Sequence, residues 1–82
     1  MELNETIKGM TSEDYKERFK AEYQQTKIRY NKLHTTIIKY EAGTLDFKPK
    51  CTLELLKMQA QFMGKYLATL EVRAEVEGID LD

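Results

Sequence analysis

The chain has 82 residues, a formal net charge of -1, one cysteine and one histidine. A chain this short is a single domain with a limited core, and such domains often need an external staple. Cys51 alone excludes an internal disulfide and a cysteine-cluster zinc site, and His34 alone leaves any metal site without a second imidazole.

Residues 1–10, MELNETIKGM, show no hydrophobic periodicity and read as a flexible N-terminal arm or a short turn of helix. They lack the basic-then-apolar layout of a signal peptide. No apolar run in the chain approaches the roughly 20 residues that span a bilayer, so the protein reads as cytoplasmic with no membrane partner.

Residues 11–82 read as one helical-hairpin domain, with a first helix over about residues 12–42. Thr11 or Ser12 can cap it, and Glu13 and Asp14 suit the positive end of the helix dipole. Phe19, Tyr23, Thr26, Tyr30, Leu33, Ile37 and Tyr40 then recur at spacings alternating 4 and 3, a heptad seam that Tyr15 extends at the front. Gly43 supplies the stop, because glycine takes the left-handed conformation that closes a helix.

The connection, TLDFKPKC, cannot continue the helix through Pro49, and Leu45 and Phe47 are expected to fold back over the end of the core. Thr52 can cap a second helix over about residues 52–77, with Glu54 in its first turn. Gly78 ends that helix and places Ile79 for an apolar contact across the cap. No strand-type alternation competes, so the fold class is all-α: an antiparallel two-helix hairpin that assembles into a homo-oligomeric bundle.

Self-association is expected because the second helix is apolar on more than one side. Leu53, Leu56, Ala60, Met63, Leu67, Leu70 and Ala74 form one stripe, while Leu55, Phe62, Tyr66, Val72 and Val76 lie outside it. The first helix of the same chain can cover only one of these faces. Gly64, in the middle of the helix, costs about 1 kcal/mol relative to alanine. With Ala60 and Ala68 it makes a ridge without bulk, suited to close approach either by another chain or ligand or by the first helix. The expected oligomer interface is Ala60, Phe62, Gly64, Tyr66 and Ala68.

Charge is sorted along the chain. Residues 16–39 hold seven cations against two carboxylates, whereas residues 66–82 hold five carboxylates against Arg73. These stretches can solvate helix faces and pair with each other, or the basic one can meet an anion. No Ser-His-Asp or Cys-His order, glycine-rich phosphate loop or paired histidine is present, so the chain does not read as an enzyme. Cys51 beside Lys50 reads as an inert loop thiol. Tyrosines on the basic helix pair ring faces for a nucleobase with cations for phosphate, although tyrosines at heptad spacing more often belong to a core with the hydroxyl reaching water. A duplex binder would carry a larger basic surplus, so nucleic acid is not the expected partner and a small anionic ligand between subunits fits better.

The segments KYEAGTLDFKPKCTLELL and MGKYLATLEVRAEVEGI resemble a class of small helical proteins encoded by phages and prophages. The layout is similar to the helical-hairpin anti-defence family that includes anti-CBASS and Thoeris-inhibiting nucleotide sponges. In that family a Gly-Tyr pair precedes a Thr-Glu helix start, an aromatic or aliphatic residue precedes a lysine, and an Arg-Ala-Val run lies near the end of the last helix. The matching residues here are Gly9-Met10, Ser12-Glu13, Phe19-Lys20, and Arg73-Ala74 with Val76 one place late. Met10 stands where the family carries a tyrosine, which leaves the stacking ring to Tyr15. The resemblance implies a homo-oligomer in a bacterial host cell that sequesters a cyclic nucleotide immune signal at pockets between subunits without hydrolysing it.

Together these readings assign ligand contacts to Tyr15, Lys20, Tyr23, Lys27 and Arg73, with tyrosine on the base and the cations on phosphates, and call for no cofactor and no metal. The alternative is a protein-binding phage inhibitor or adaptor, anti-CRISPR-like or an assembly factor, docking through the surplus apolar face of the second helix.

Overall fold

In the computed structural model, which describes residues 1–82, a 3-10 turn over Leu3–Thr6 leads into a short helix α1 (Ile7–Met10), followed by α2 (Tyr15–Ala42) and α3 (Leu53–Glu77). α2 and α3 run antiparallel, which brings Tyr15 to Glu77 at one end of the hairpin and Glu41 to Lys57 at the other. A helix of 28 residues is about 42 Å long, and α2 accordingly sets the long dimension of the molecule, 43 Å. No helix is long and apolar enough to cross a membrane.

The start of α2 falls three residues later than the sequence suggested, because the expected caps are engaged elsewhere. Thr11 donates its hydroxyl back to the Ile7 and Lys8 carbonyls, closing α1. Ser12 accepts from the Asp14 N–H and donates to Glu17. Asp14 is left as the cap, its carboxylate accepting from the Lys16 N–H at 2.9 Å. Arg18 donates to the Ser12 and Glu13 carbonyls and so ties the corner between α1 and α2.

The other boundaries follow the local chemistry anticipated for them. Gly43 and Gly78 both take positive φ (76° and 69°) and close α2 and α3. Thr52 accepts from the Leu55 N–H at 3.2 Å. The Ile79 N–H donates to the Ala74 carbonyl, and the Ile79 side chain is buried. In the connection, however, Phe47 does not cover the end of the core: the chain bends at Asp46 and Phe47, the ring faces outward, and only Leu45 and Pro49 are half-buried.

The core is concentrated at the end where α2 begins and α3 finishes. Phe19 (2 % exposed), Leu70 (1 %), Ala74 and Ile79 form one cluster, with Tyr23 and Leu81 packed against it. Along the seam toward the connection, Ile37 and Leu67 are buried, while Thr26, Tyr30, Leu33 and Tyr40 are half-buried. The heptad seam of α2 therefore faces α3, as its spacing required.

Residues 3–10, read from the sequence as a flexible arm or a short turn of helix, are helical and lie on the back of α2. Thr6 is buried there, its hydroxyl donating to the Leu3 carbonyl at 2.7 Å. A Cβ on Gly9 would stand 2.9 Å from the Ala21 Cβ, closer than two such atoms ordinarily approach, so a side chain at position 9 would push α1 away from α2. The architecture is thus the expected hairpin plus a docked N-terminal lead-in. The first half of α2 is covered on two sides, whereas the back of α3 is bare throughout: Leu55, Met58, Phe62, Tyr66, Val72 and Val76 are all exposed, Phe62 at 64 % and Val76 at 81 %.

Candidate functional site

The five residues assigned to a ligand divide between the two flanks of the α2–α3 seam. On one flank, Tyr15 at the start of α2 meets Arg73 and Glu77 near the end of α3. The phenol donates to Glu77 Oε1 at 2.8 Å and accepts from Arg73 Nη2 at 2.9 Å, while Arg73 Nε donates to Glu77 Oε2 at 3.3 Å. The guanidinium also lies over the Phe19 ring, 4.9 Å from its centroid, and Tyr15 meets Phe19 edge-on. Hydrogen bonding to Glu77, aided by desolvation, raises the Tyr15 pKa above its ordinary value. For Arg73, desolvation acts downward, but the hydrogen bond to Glu77 and the adjoining phenol outweigh it and the net shift is upward. This corner is closed on itself, and the charge of Arg73 is answered by Glu77.

Glu71 stands two residues before Arg73, a step of about 200° around a helix, so it projects to the opposite flank. There it accepts the Tyr23 hydroxyl at 2.6 Å. That bond, with desolvation, raises the Tyr23 pKa as well, against the opposing pull of Lys27. Lys27 Nζ lies 5.8 Å from the Tyr23 ring centroid, and Lys20 donates to the Asp82 backbone oxygen at 2.8 Å. Lys20, Tyr23 and Lys27 thus share a flank, and neither lysine forms an ion pair. A small ligand against a single chain could reach the Tyr15–Arg73 corner or the Lys20–Tyr23–Lys27 flank, but not both.

The residues assigned to an interface divide in the same way. Gly64 faces the same chain: a Cβ there would sit 3.6 Å from the Tyr30 ring, at ordinary van der Waals distance, and Tyr30 in turn stacks on His34. Ala60 is half-buried, whereas Ala68, Phe62 and Tyr66 are exposed. Of the small ridge, only Gly64 lies against Tyr30, while the aromatic pair Phe62 and Tyr66 belongs to the bare back of α3.

A groove of about 580 Å³ lies on the Arg73 side of the seam, lined by Gln25, Thr26, Arg29 and Lys32 from α2 and by Gln59 and Met63 from α3. The sequence assigned none of the six to a ligand, placing Thr26 and Met63 in the packing stripes and Arg29 and Lys32 in the basic stretch. The available signal was the spacing of Gln25, Arg29 and Lys32, four and then three apart, which sets them on one flank of α2; Gln59 joins them only through the pairing of the helices.

The fold defines a small all-helical hairpin that presents tyrosines and cations along both edges of its seam. The model of one protein family, described as Sequestin, matches residues 13–76, and the chain belongs to that family. The match covers both long helices and the connection between them. It agrees with the resemblance to the helical-hairpin nucleotide sponges, and the family name denotes sequestration, which is holding rather than turnover. No curated protein and no solved structure matches the chain.

Proposed function

We propose that this protein is a phage anti-defence factor that sequesters a cyclic nucleotide immune signal, of the cyclic oligonucleotide or cyclic ADP-ribose type, at pockets between the subunits of a homo-oligomer and without catalysis. Membership of the Sequestin family carries this reading. Support for the oligomer comes from the exposed row of Leu55, Met58, Phe62, Tyr66, Val72 and Val76 along one face of α3. Apolar faces of that extent on a small soluble domain mark association surfaces. Of the assigned ligand contacts, Lys20 and Lys27 form no side-chain ion pair, and they remain the proposed phosphate contacts beside the Tyr23 ring, with Glu71 close by on that flank. Tyr15 and Arg73 contribute to a ligand if a second copy or the ligand itself displaces Glu77.

Calorimetric titration against cyclic di- and trinucleotides and cyclic ADP-ribose isomers tests the reading. Stoichiometric binding with recovery of intact ligand is expected, and silence across the whole panel would remove it. The same exposed row also suits a protein-binding inhibitor or adaptor. Light scattering of the purified chain separates the two, since a sponge of this design is a stable oligomer and the adaptor is a monomer awaiting its target.

A further inference from the structure

We infer that the groove between α2 and α3 lined by Gln25, Thr26, Arg29, Lys32, Gln59 and Met63 is a second anion site, one that takes the phosphates of a nucleotide. The inference relies on the sequestration reading for the class of ligand but not for its place, since it lies on the opposite flank from Lys20 and Lys27.

Charge is the first argument. The ion pairs of the molecule join Lys57 to Glu41 and Arg73 to Glu77, which leaves Arg29 and Lys32 uncompensated. No carboxylate lines the groove. The opposite flank, by contrast, sets Glu71 against Tyr23, so an anion approaching there also meets a carboxylate. Arg29 and Lys32 stand three residues apart on α2, and side chains at that spacing are neighbours about 5–6 Å apart at their Cβ atoms. They can converge on one phosphate or on two linked ones, Arg29 through its planar fork and Lys32 as a point charge.

Shape and lining supply the second argument. The groove, about 580 Å³ and open to solvent, has room for a nucleotide, and its lining is polar apart from Met63. Gln25 from α2 and Gln59 from α3 both line the groove, and their amides offer donors and acceptors suited to ribose hydroxyls or a base edge. Phe62 lies three residues after Gln59 and Tyr66 three after Met63, so exposed rings flank the groove on α3. A base can stack there while its phosphates meet Arg29 and Lys32. The groove also runs beside the bare apolar face, so a second copy seated on that face would wall its open side.

The test uses the full chain with three probes: inorganic pyrophosphate, ADP and a cyclic dinucleotide. Amide and side-chain NMR shifts on adding pyrophosphate or ADP are expected to cluster at Gln25, Arg29, Lys32 and Gln59. Arg29→Gln with Lys32→Gln should weaken each probe by roughly tenfold or more, as loss of charge-assisted hydrogen bonds does, with circular dichroism unchanged because both side chains are exposed. Lys48→Gln with Lys50→Gln, which removes equal charge from the connection, should leave binding within about twofold if the effect is local rather than net charge. Tyr66→Leu should weaken ADP and leave pyrophosphate untouched. Shifts confined to other residues, or full binding by the Arg29 and Lys32 double variant, overturn the groove and leave the sponge reading standing. Groove shifts with pyrophosphate and ADP, together with silence across the whole panel of cyclic di- and trinucleotides and cyclic ADP-ribose isomers, overturn the sponge and leave the groove; silence with the three probes overturns the groove, and silence across the panel as well overturns both.

Discussion

Gly64 sits in mid-helix at a cost of about 1 kcal/mol relative to alanine, yet a Cβ there would meet the Tyr30 ring at 3.6 Å, an ordinary contact. Packing within the chain thus does not demand glycine. Gly64→Ala is expected to raise folding stability by about 1 kcal/mol in urea titration at monomeric dilution. If light scattering shows that the same variant no longer self-associates, then a second backbone uses the space. Gly9 presents the contrary case, because its missing Cβ would lie 2.9 Å from the Ala21 Cβ. Neither atom is the end of a flexible side chain, so Gly9→Ala should lift α1 from α2. Overpacking of this kind costs roughly 1–3 kcal/mol, and amide exchange over residues 3–10 should accelerate while the hairpin keeps its protection. Tyr15 and Tyr23 carry the third residue-scale expectation. Both phenols are held neutral by carboxylate acceptors, so their folded pKa values lie above the ordinary value of about 10. The protonated phenol is the form that the fold favours. This contribution is complete below about pH 10 and is lost as pH rises through the raised folded values. Tyrosinate absorbance should show two late-titrating residues, and Glu71→Ala should bring one of them back toward the ordinary range.

At the scale of elements, the hairpin is unevenly built. Its buried cluster gathers Phe19 from α2 with Leu70, Ala74 and Ile79 from the end of α3, and the seam beyond Ile37 is only half-buried. Phe19→Ala should therefore cost about 3–5 kcal/mol, enough to unfold much of a domain this small. Thr52→Ala removes a single cap hydrogen bond at the open end and should cost only about 1 kcal/mol, measured in the same denaturant series. The two long helices were legible because each carried its own signals: the alternation of 4 and 3 from Phe19 to Tyr40, Gly43 and Gly78 at the stops, and Thr52 at the second start. The first start was less legible because Thr11, Ser12 and Asp14 offer three capping residues within four positions. Which of them caps depends on α1, whose Ile7 and Lys8 carbonyls draw the Thr11 hydroxyl away. The outward turn of Phe47 was likewise hidden, since an aromatic residue in a short connection carries no local sign of which way the bend will face.

For the molecule as a whole, the decisive imbalance is that the 3-10 turn and α1 cover the back of the first half of α2 while nothing covers the back of α3. Burying even half of an exposed Phe62 or Val76 side chain is worth on the order of 1 kcal/mol, and six such residues lie along that face. Light scattering should report a multiple of the chain mass. Phe62→Glu with Val72→Glu should reduce it to the monomer without loss of helicity, since both side chains are more than half exposed within the chain.

The sequence by itself determined the all-helical class, the two long helices and their stops, the inward seam of α2 and the excess of apolar residues on α3, because each of these is written in local periodicity and cap chemistry. It also carried the family resemblance that the match over residues 13–76 supports. Only the tertiary structure decided which side chains share a flank. Tyr15 and Arg73 went to one side with Glu77, Lys20, Tyr23 and Lys27 to the other with Glu71, and Arg29 and Lys32 were joined to Gln59 across the seam. The physical reason is that the relative rotation and register of two packed helices are set by how Phe19, Leu70, Ala74 and Ile79 interdigitate, a relation between distant segments that neither segment encodes alone.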